Sequence, residues 1–345
     1  MRIAVASVQV PFIHGGAELM TEQLLKALGE HGHATELITM PFRFGPNAAV
    51  RHAMNAWDAE NFTHFDCGSI DRVVCLKFPS YYLEHSNKVV WLMHQHRSVY
   101  ELFNTPYGEN DKTAAARDFR NEVIRRDTAA FSTARSVFTI SARVSERMLS
   151  YNKVASSSIH QPPKNADLFY CADQLDYIFF PSRLETLKRQ ELLIRAMARC
   201  RVPVAAIIAG DGGARAGLQQ LVHDLKVEDR VRLIGRLDDE SMRAWYANAL
   251  GVFFGPYDED YGFITLEAML SSKPVITCTD SGGPLEFVLD GDTGYVTPPD
   301  PDSVADAIER LYNDKRRAKD MGAAGLSRYR ALGISWDHVV QKLLS

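Results

Sequence analysis

The chain lacks the features that would mark a secreted, metal-stapled or membrane-spanning protein. Its five cysteines, Cys67, Cys75, Cys171, Cys200 and Cys278, are odd in number, scattered and without CxxC spacing. Neither a disulfide framework nor a zinc site fits that pattern. No apolar run approaches the length of a bilayer span, and Met1-Arg2-Ile3-Ala4-Val5-Ala6 starts a strand with no signal-peptide pattern, so the expected location is the cytoplasm. Charge of one sign is missing too. The 39 Lys and Arg against 43 Asp and Glu leave a net charge of −4, which gives no reason to expect a nucleic-acid partner. Short repeats and low-complexity tracts are absent. What is present is 46% hydrophobic and 24% charged over 345 residues, long for one core and comfortable for two globular domains.

Strand and helix signals alternate throughout, which predicts parallel sheets with helices on both faces, an α/β protein. In the first half the strands fall at 2–7, 34–39, 72–76, 88–93 and 136–140, with helices at 17–30, 113–133 and 141–149. The second half repeats the pattern, with strands at 177–182, 204–210, 231–234, 251–254, 274–277 and 295–297 and helices at 303–312 and 315–328. Gln161-Pro162-Pro163-Lys164-Asn165-Ala166-Asp167 has the composition of a connector. The domains are therefore expected at 1–165 and 166–329, and the end of the chain, 330–345, reads as an amphipathic helix.

The most informative stretch is Tyr257-Asp258-Glu259-Asp260-Tyr261-Gly262-Phe263-Ile264-Thr265-Leu266-Glu267. Gly262 permits a tight turn, and the helical periodicity that follows places a helix N-terminus at Phe263 and Ile264, with Thr265 in the same first turn. Free N–H groups and the positive end of the dipole there favour an anion. Glu267, a turn inside, would accept hydroxyl hydrogen bonds from a ribose, and Glu259 on the loop those of a second ring. An acidic loop running into an ordinary amphipathic helix is the alternative. A second cluster follows the buried-looking strand Tyr177-Ile178-Phe179-Phe180-Pro181-Ser182. There Arg183 and Lys188 are spaced to converge on one diphosphate, or to be surface charges beside Arg189, Glu191 and Arg195. Together the two clusters suggest a nucleotide-sugar site.

With these motifs the sequence resembles the family 4 retaining glycosyltransferases of the GT-B fold, of the bacterial cell-surface polysaccharide type. Glu259 and Glu267 match the family's acidic motif, with Tyr261-Gly262-Phe263 in place of its usual Phe-Gly-Leu, and Arg183 with Lys188 match its basic pair. Lys273-Pro274-Val275-Ile276-Thr277, Ser281-Gly282-Gly283-Pro284-Leu285-Glu286 and Asp290-Gly291-Asp292-Thr293-Gly294 follow in family order. The likeness is dense over 177–314. Before that, Gly15-Gly16-Ala17-Glu18 and His94 are the matching points. The resemblance implies two Rossmann-like domains facing an interdomain cleft, with the donor bound by the second and the amphipathic end, 330–345, crossing back onto the first. It implies catalytic roles for Arg183, Lys188, Glu259 and His94, and donor contacts from Gly15, Gly16, Gly210, Gly212, Arg236, Gly262, Phe263, Ile264, Thr265 and Glu267. The expected reaction moves a hexosyl group from a UDP- or GDP-sugar to a hydroxyl of a glycan or lipid-linked glycan.

Rival signals are present. Gly210-Asp211-Gly212-Gly213-Ala214-Arg215 looks like a dinucleotide fingerprint with Arg215 where the third glycine or alanine belongs, so an NAD(P)-binding oxidoreductase is one alternative. A GT-B-like epimerase or hydrolase is another. Asp258-Glu259-Asp260, Asp290-Gly291-Asp292 and Asp300-Pro301-Asp302 have the spacing of a divalent-metal site. The cations Arg183 and Lys188 already supply charge for a leaving diphosphate, so no required metal or other cofactor is expected. His96 and Arg97 beside His94 are candidates to meet the acceptor. The arginine-rich segment 112–147 reads as a salt-bridged helix face, or as a weak attraction to anionic lipid giving peripheral membrane association.

Overall fold

A computed structural model describes residues 1–13, 15–63, 68–108 and 113–345; Cys67 and Lys112 lie outside them. The chain divides into two compact units, Met1–Lys164 with Ser335–Ser345, and Asn165–Ile334. No helix among the described residues is long and apolar enough to cross a membrane.

The first unit runs β1 (Arg2–Gln9), α1 (Gly16–Glu30), β2 (Ala34–Pro41), α2 (Asn47–Asp58), β3 (Arg72–Cys75), β4 (Lys88–Leu92), α3 (Ala114–Ser132), β5 (Ser136–Thr139), α4 (Ala142–Asn152) and β6 (Ser157–Ser158). Its six strands form one parallel sheet in the order β2-β1-β3-β4-β5-β6. Helices cover both faces of such a sheet, so its central strands read as unbroken apolar runs: Ile3 to Val8, Val73 to Cys75 and Val89 to Leu92 are all buried.

The second unit runs β7 (Leu175–Pro181), α5 (Gln190–Met197), β8 (Ala205–Ala209), α6 (Arg215–Asp224), β9 (Val231–Gly235), α7 (Asp239–Asn248), β10 (Ala249–Phe253), α8 (Phe263–Leu270), β11 (Val275–Cys278), β12 (Gly294–Thr297), α9 (Pro301–Asn313) and α10 (Lys315–Ala331). Its parallel sheet has the order β12-β11-β10-β7-β8-β9. Both faces of β7 are spent on packing. Ile178 and Phe180 belong to one core with α5 and α9, while Tyr177 and Phe179 join Tyr246 and Ala268 in the other. This is the two-residue alternation of a central strand.

The last helix, α11 (Trp336–Leu344), belongs to the first unit. Val339, Val340 and Leu343 are buried, and the Trp336 ring meets Trp91 edge-on at 6.2 Å. The buried Arg72 guanidinium donates to the Leu343 carbonyl at 2.7 Å, satisfying one of the carbonyls that a helix end leaves open.

Candidate functional site

In the second unit the strand order, counted from its first strand, is 3-2-1-4-5-6, and it reverses between β7 and β10. Loops leaving the C-terminal ends of two such strands diverge and open a crevice where open α/β sheets bind ligands. Arg183 and Lys188 lie on the loop after β7, and Glu259 lies on the loop after β10. The two loops meet. Tyr257 N donates to Leu187 O at 2.8 Å, and Lys188 Nζ stands 2.5 Å from Glu259 Oε2. Both side chains of that ion pair are largely buried, at 16% and 19% exposure. Arg183 is held elsewhere, against Glu185 Oε1 at 2.9 Å, and is half exposed. The structure therefore brings Lys188 to Glu259 rather than to Arg183.

Glu259 is fixed through its backbone as well. Its N–H donates to Ser281 O at 2.9 Å and its carbonyl accepts from Gly283 N at 2.8 Å. Gly282 has φ +71, and a Cβ there would lie 2.5 Å from the Glu259 carbonyl oxygen, so this bridge needs glycine.

Gly262 takes the left-handed conformation (φ 91, ψ 62) and ends the loop, and α8 starts at Phe263 with no side-chain cap. Thr265 N donates to Gly262 O at 2.9 Å, which leaves the Phe263 and Ile264 N–H groups as the open donors of the first turn. Thr265 itself is fully buried, and its Oγ1 has no partner among the described residues. One turn on, Glu267 Oε2 accepts from Tyr246 Oη at 2.6 Å, while Oε1 has no protein partner among the described residues. Burial, joined by the Asp239 charge, raises the Glu267 carboxyl above its ordinary value, and the Tyr246 hydrogen bond opposes that shift.

The glycine loop lies beside these two. Gly210 (φ +131) and Gly212 (φ +159) pass so close to the β7 loop that a Cβ at either would sit 1.9 Å from Ser182 O or 2.5 Å from Leu184 O. Leu184 N donates to Asp211 O at 3.0 Å, and Ala214 N donates to Leu184 O at 3.1 Å. These glycines therefore shape the Arg183 loop. A dinucleotide fingerprint belongs after the first strand of this sheet order, β7, whereas Gly210-Asp211-Gly212 follows β8. Arg236 is exposed just past the end of β9.

Gly15, Gly16 and His94 belong to the first unit. Gly15 N donates to Glu18 Oε2 at 2.9 Å, and Glu18 Oε1 lies 3.6 Å from the Lys77 ammonium. The chain's own carboxylate thus occupies the N-terminus of α1. His94 Nδ1 bonds Gln95 O at 2.7 Å. His96 is buried and stacked on Phe78 at 5.1 Å, and burial followed by the neighbouring His94 lowers its pKa to about 4. Arg97 is paired with Glu101 at 2.5 Å. Most cations of the arginine-rich segment have similar partners within the unit: Arg120 donates to Val99 O, Arg126 to Asn55 and Asp58, Arg143 to Glu146, and Arg147 pairs with Glu101.

The three Asp-x-Asp pairs have separate anchoring work. Asp300 caps α9 by accepting from Ser303 N at 2.9 Å, Asp290 Oδ1 accepts from Val296 N at 2.9 Å, and in the first pair the backbone N–H of Asp258 donates to Asp280 O at 2.9 Å while the intervening Glu259 is held by Lys188. Among the described residues no group of three His, Cys, Asp or Glu is arranged to hold a metal ion.

Two residues that the sequence reading did not place hold this site together. Tyr246, on the unread helix α7, grips Glu267. Arg189, taken with the surface charges, has a guanidinium only 9% exposed.

Residues 172–328 match the family model described as glycosyl transferases group 1. Over that stretch, somewhat under half of the chain, the sequence is similar to that family. A GDP-mannose-dependent alpha-(1-6)-phosphatidylinositol monomannoside mannosyltransferase of Mycolicibacterium smegmatis is 38% identical over 156 residues, 42% of this chain and 40% of that protein. A D-inositol 3-phosphate glycosyltransferase of Corynebacterium diphtheriae is 31% identical over 176 residues, 48% of this chain and 40% of that protein. The matched stretch thus spans about two fifths of these curated relatives. Among solved structures, a sucrose-phosphate synthase from Thermosynechococcus elongatus is similar at TM-score 0.79 with 20% identity, covering 99% of this chain and 97% of that one. The Anabaena HepE, in complex with UDP-glucose, is similar at TM-score 0.70 with 17% identity, covering 100% and 98%. These likenesses run the whole length and show the fold, two Rossmann-like parallel-sheet domains of the GT-B kind.

Proposed function

We propose that this chain transfers a hexosyl group from a nucleoside diphosphate sugar to an acceptor hydroxyl, with retention at the anomeric carbon. One observation carries the reading: the crevice between the β7 and β10 loops presents a cation, a carboxylate and an uncapped helix N-terminus together, with a second carboxylate one turn inside that helix. In this reading the open Phe263 and Ile264 N–H groups, Lys188 and Arg183 take the charge that grows on the departing diphosphate, without need of a metal. Glu267, with Oε1 free and Oε2 steadied by Tyr246, holds the ribose. Glu259 takes hydroxyls of the transferred sugar, and Lys188 exchanges its carboxylate partner for phosphate when donor arrives. Exposed Arg236 meets the base.

The matched relatives and solved structures include a GDP-mannose-dependent enzyme and a protein in complex with UDP-glucose, so both donor bases are proposed. The acceptor is a glycan or a lipid-linked glycan, used on the cytoplasmic side with peripheral contact to the membrane, in surface polysaccharide synthesis of the family 4 type. The nicotinamide reading loses its motif, because the glycine loop follows the wrong strand for a fingerprint.

A thermal-shift panel of UDP, GDP, UDP-glucose, GDP-mannose, NAD and NADP tests the class. Nucleoside diphosphates and their sugars raise the Tm, and the nicotinamides do not. Stabilisation by a nicotinamide alone reverses the assignment. Product analysis with and without an added glycan acceptor then separates transfer from hydrolysis or epimerisation, and the anomeric configuration of the product, read by NMR, tests retention.

A further inference from the structure

Arg189 adopts φ 54, ψ 45, the left-handed conformation that side chains other than glycine's disfavour. A non-glycine residue there is strained, and what offsets the strain is the guanidinium. Its Nε donates to Gly255 O at 2.9 Å and its Nη2 to Pro256 O at 2.7 Å, both on the loop after β10. The same fork grips Asp280, on the segment after β11, at 3.0 Å from Nη1 to Oδ2 and 2.6 Å from Nη2 to Oδ1. One buried cation on the β7 loop thus ties down the two neighbouring segments.

Lys188 is the residue before Arg189, and Glu259 stands three residues after Pro256. Backbone bonds continue the stitching, from Asp258 N to Asp280 O at 2.9 Å and from Glu259 N to Ser281 O at 2.9 Å. We infer that Arg189 is a positioning residue that sets the register of Lys188 against Glu259 and so aligns the two groups assigned to diphosphate and sugar. The inference rests on the transferase reading for its catalytic consequence, and on geometry alone for the register.

The test therefore has two arms. Thermodynamic coupling between Lys188→Ala and Glu259→Gln, measured by chemical denaturation in a double-mutant cycle, is present with Arg189 and disappears in an Arg189→Gly background, where glycine keeps the left-handed backbone without the fork. Asp280→Asn breaks the same fork from its other end and carries the measurement if the glycine variant does not fold. In the kinetic arm, whichever of UDP-glucose and GDP-mannose the wild type uses, Arg189→Gly lowers kcat about ten- to a hundredfold with donor KM nearly unchanged. Added to Lys188→Ala it lowers kcat no further, whereas a general loss of stability would add its own effect. Arg189→Lys, which keeps charge but not the fork, rescues little. Unchanged coupling in both variants overturns the inference, and so does an Arg189→Gly kcat equal to that of a wild type that turns over nucleotide sugar. Lost coupling in a protein that turns over no nucleotide sugar leaves the register role standing and removes the transferase reading instead.

Discussion

Lys188 and Glu259, 71 residues apart in sequence, meet at 2.5 Å across the crevice between the β7 and β10 loops. Each is thereby held in place while the other waits for ligand. A carboxylate beside an ammonium holds it in one place, so arriving diphosphate finds its counter-charge already oriented. Lys188→Ala is expected to lower kcat about a hundredfold, the size seen for one charge-assisted contact made in a transition state. Arg183→Ala should have the same direction while folding survives, since its side chain is half exposed. Near-normal turnover in either purified variant removes that residue from the mechanism.

The two acids should separate by ligand. Glu267→Gln is expected to weaken both free nucleoside diphosphate and intact donor, because the ribose is common to them, by about 1.5 to 3 kcal/mol. Glu259→Gln should spare the free diphosphate, whose phosphates gain an unpaired Lys188, and weaken only the sugar-bearing donor. Calorimetric titration of both ligands into both variants reads this directly, and wild-type affinities in all four titrations would return the acids to structural duty.

Activity should persist in excess EDTA, because the charge on the leaving group is assigned to Lys188, Arg183 and the α8 N-terminus. Complete loss on chelation, restored by Mg or Mn, would mean that a carboxylate cluster takes up metal when donor binds.

Glycine positions beside the site divide sharply. Gly210→Ala would drive a Cβ to 1.9 Å from Ser182 O at φ +131, so it is expected to destabilise the fold by roughly 3 kcal/mol. Gly213→Ala, with nothing within 4 Å, should stay within about 0.5 kcal/mol of wild type. Equal denaturation midpoints for the two variants would show that the Gly210 loop is free to move away.

Period and turn chemistry made much of this legible. The apolar runs at 2–7, 88–93 and 177–182 are strands because parallel sheets bury both faces, and Gly262 marks the start of α8 because only its backbone goes left-handed there without cost. Helix α2 escaped, although Val50, Ala53, Met54 and Trp57 line its buried face, because Arg51, His52 and Asn55 dilute the apolar signal. Helix α7 escaped as well, and Tyr246 with it. Arg189 was illegible for another reason: nothing local distinguishes a guanidinium that folds back onto distant carbonyls from one that faces water. Motif reasoning names the groups a ligand touches, and it passes over those that hold them.

The first unit offers a test that needs no ligand. Asp127 is fully buried in α3, next in sequence to Arg126, and it accepts from Tyr82 Oη and Tyr100 Oη at 2.6 Å each. Burial outweighs these hydrogen bonds and the Arg126 charge, and raises its pKa from 3.8 to about 7. The native state therefore binds a proton that the unfolded chain gives up near pH 4. Stability from this group is full below about pH 4 and is lost as pH rises to about 7, by up to about 4 kcal/mol. His96, with its pKa lowered to about 4, works in the opposite direction, because its stability is present above about pH 6.5 and falls away in acid. The informative quantity is thus the difference between wild type and Asp127→Asn, which keeps an acceptor and a donor for the tyrosines and leaves His96 untouched. The variant should match or trail the wild type at pH 4 and gain steadily on it up to pH 7, measured as Tm against pH. A difference that does not change across that interval would show that Asp127 is already ionised in the folded protein at pH 4.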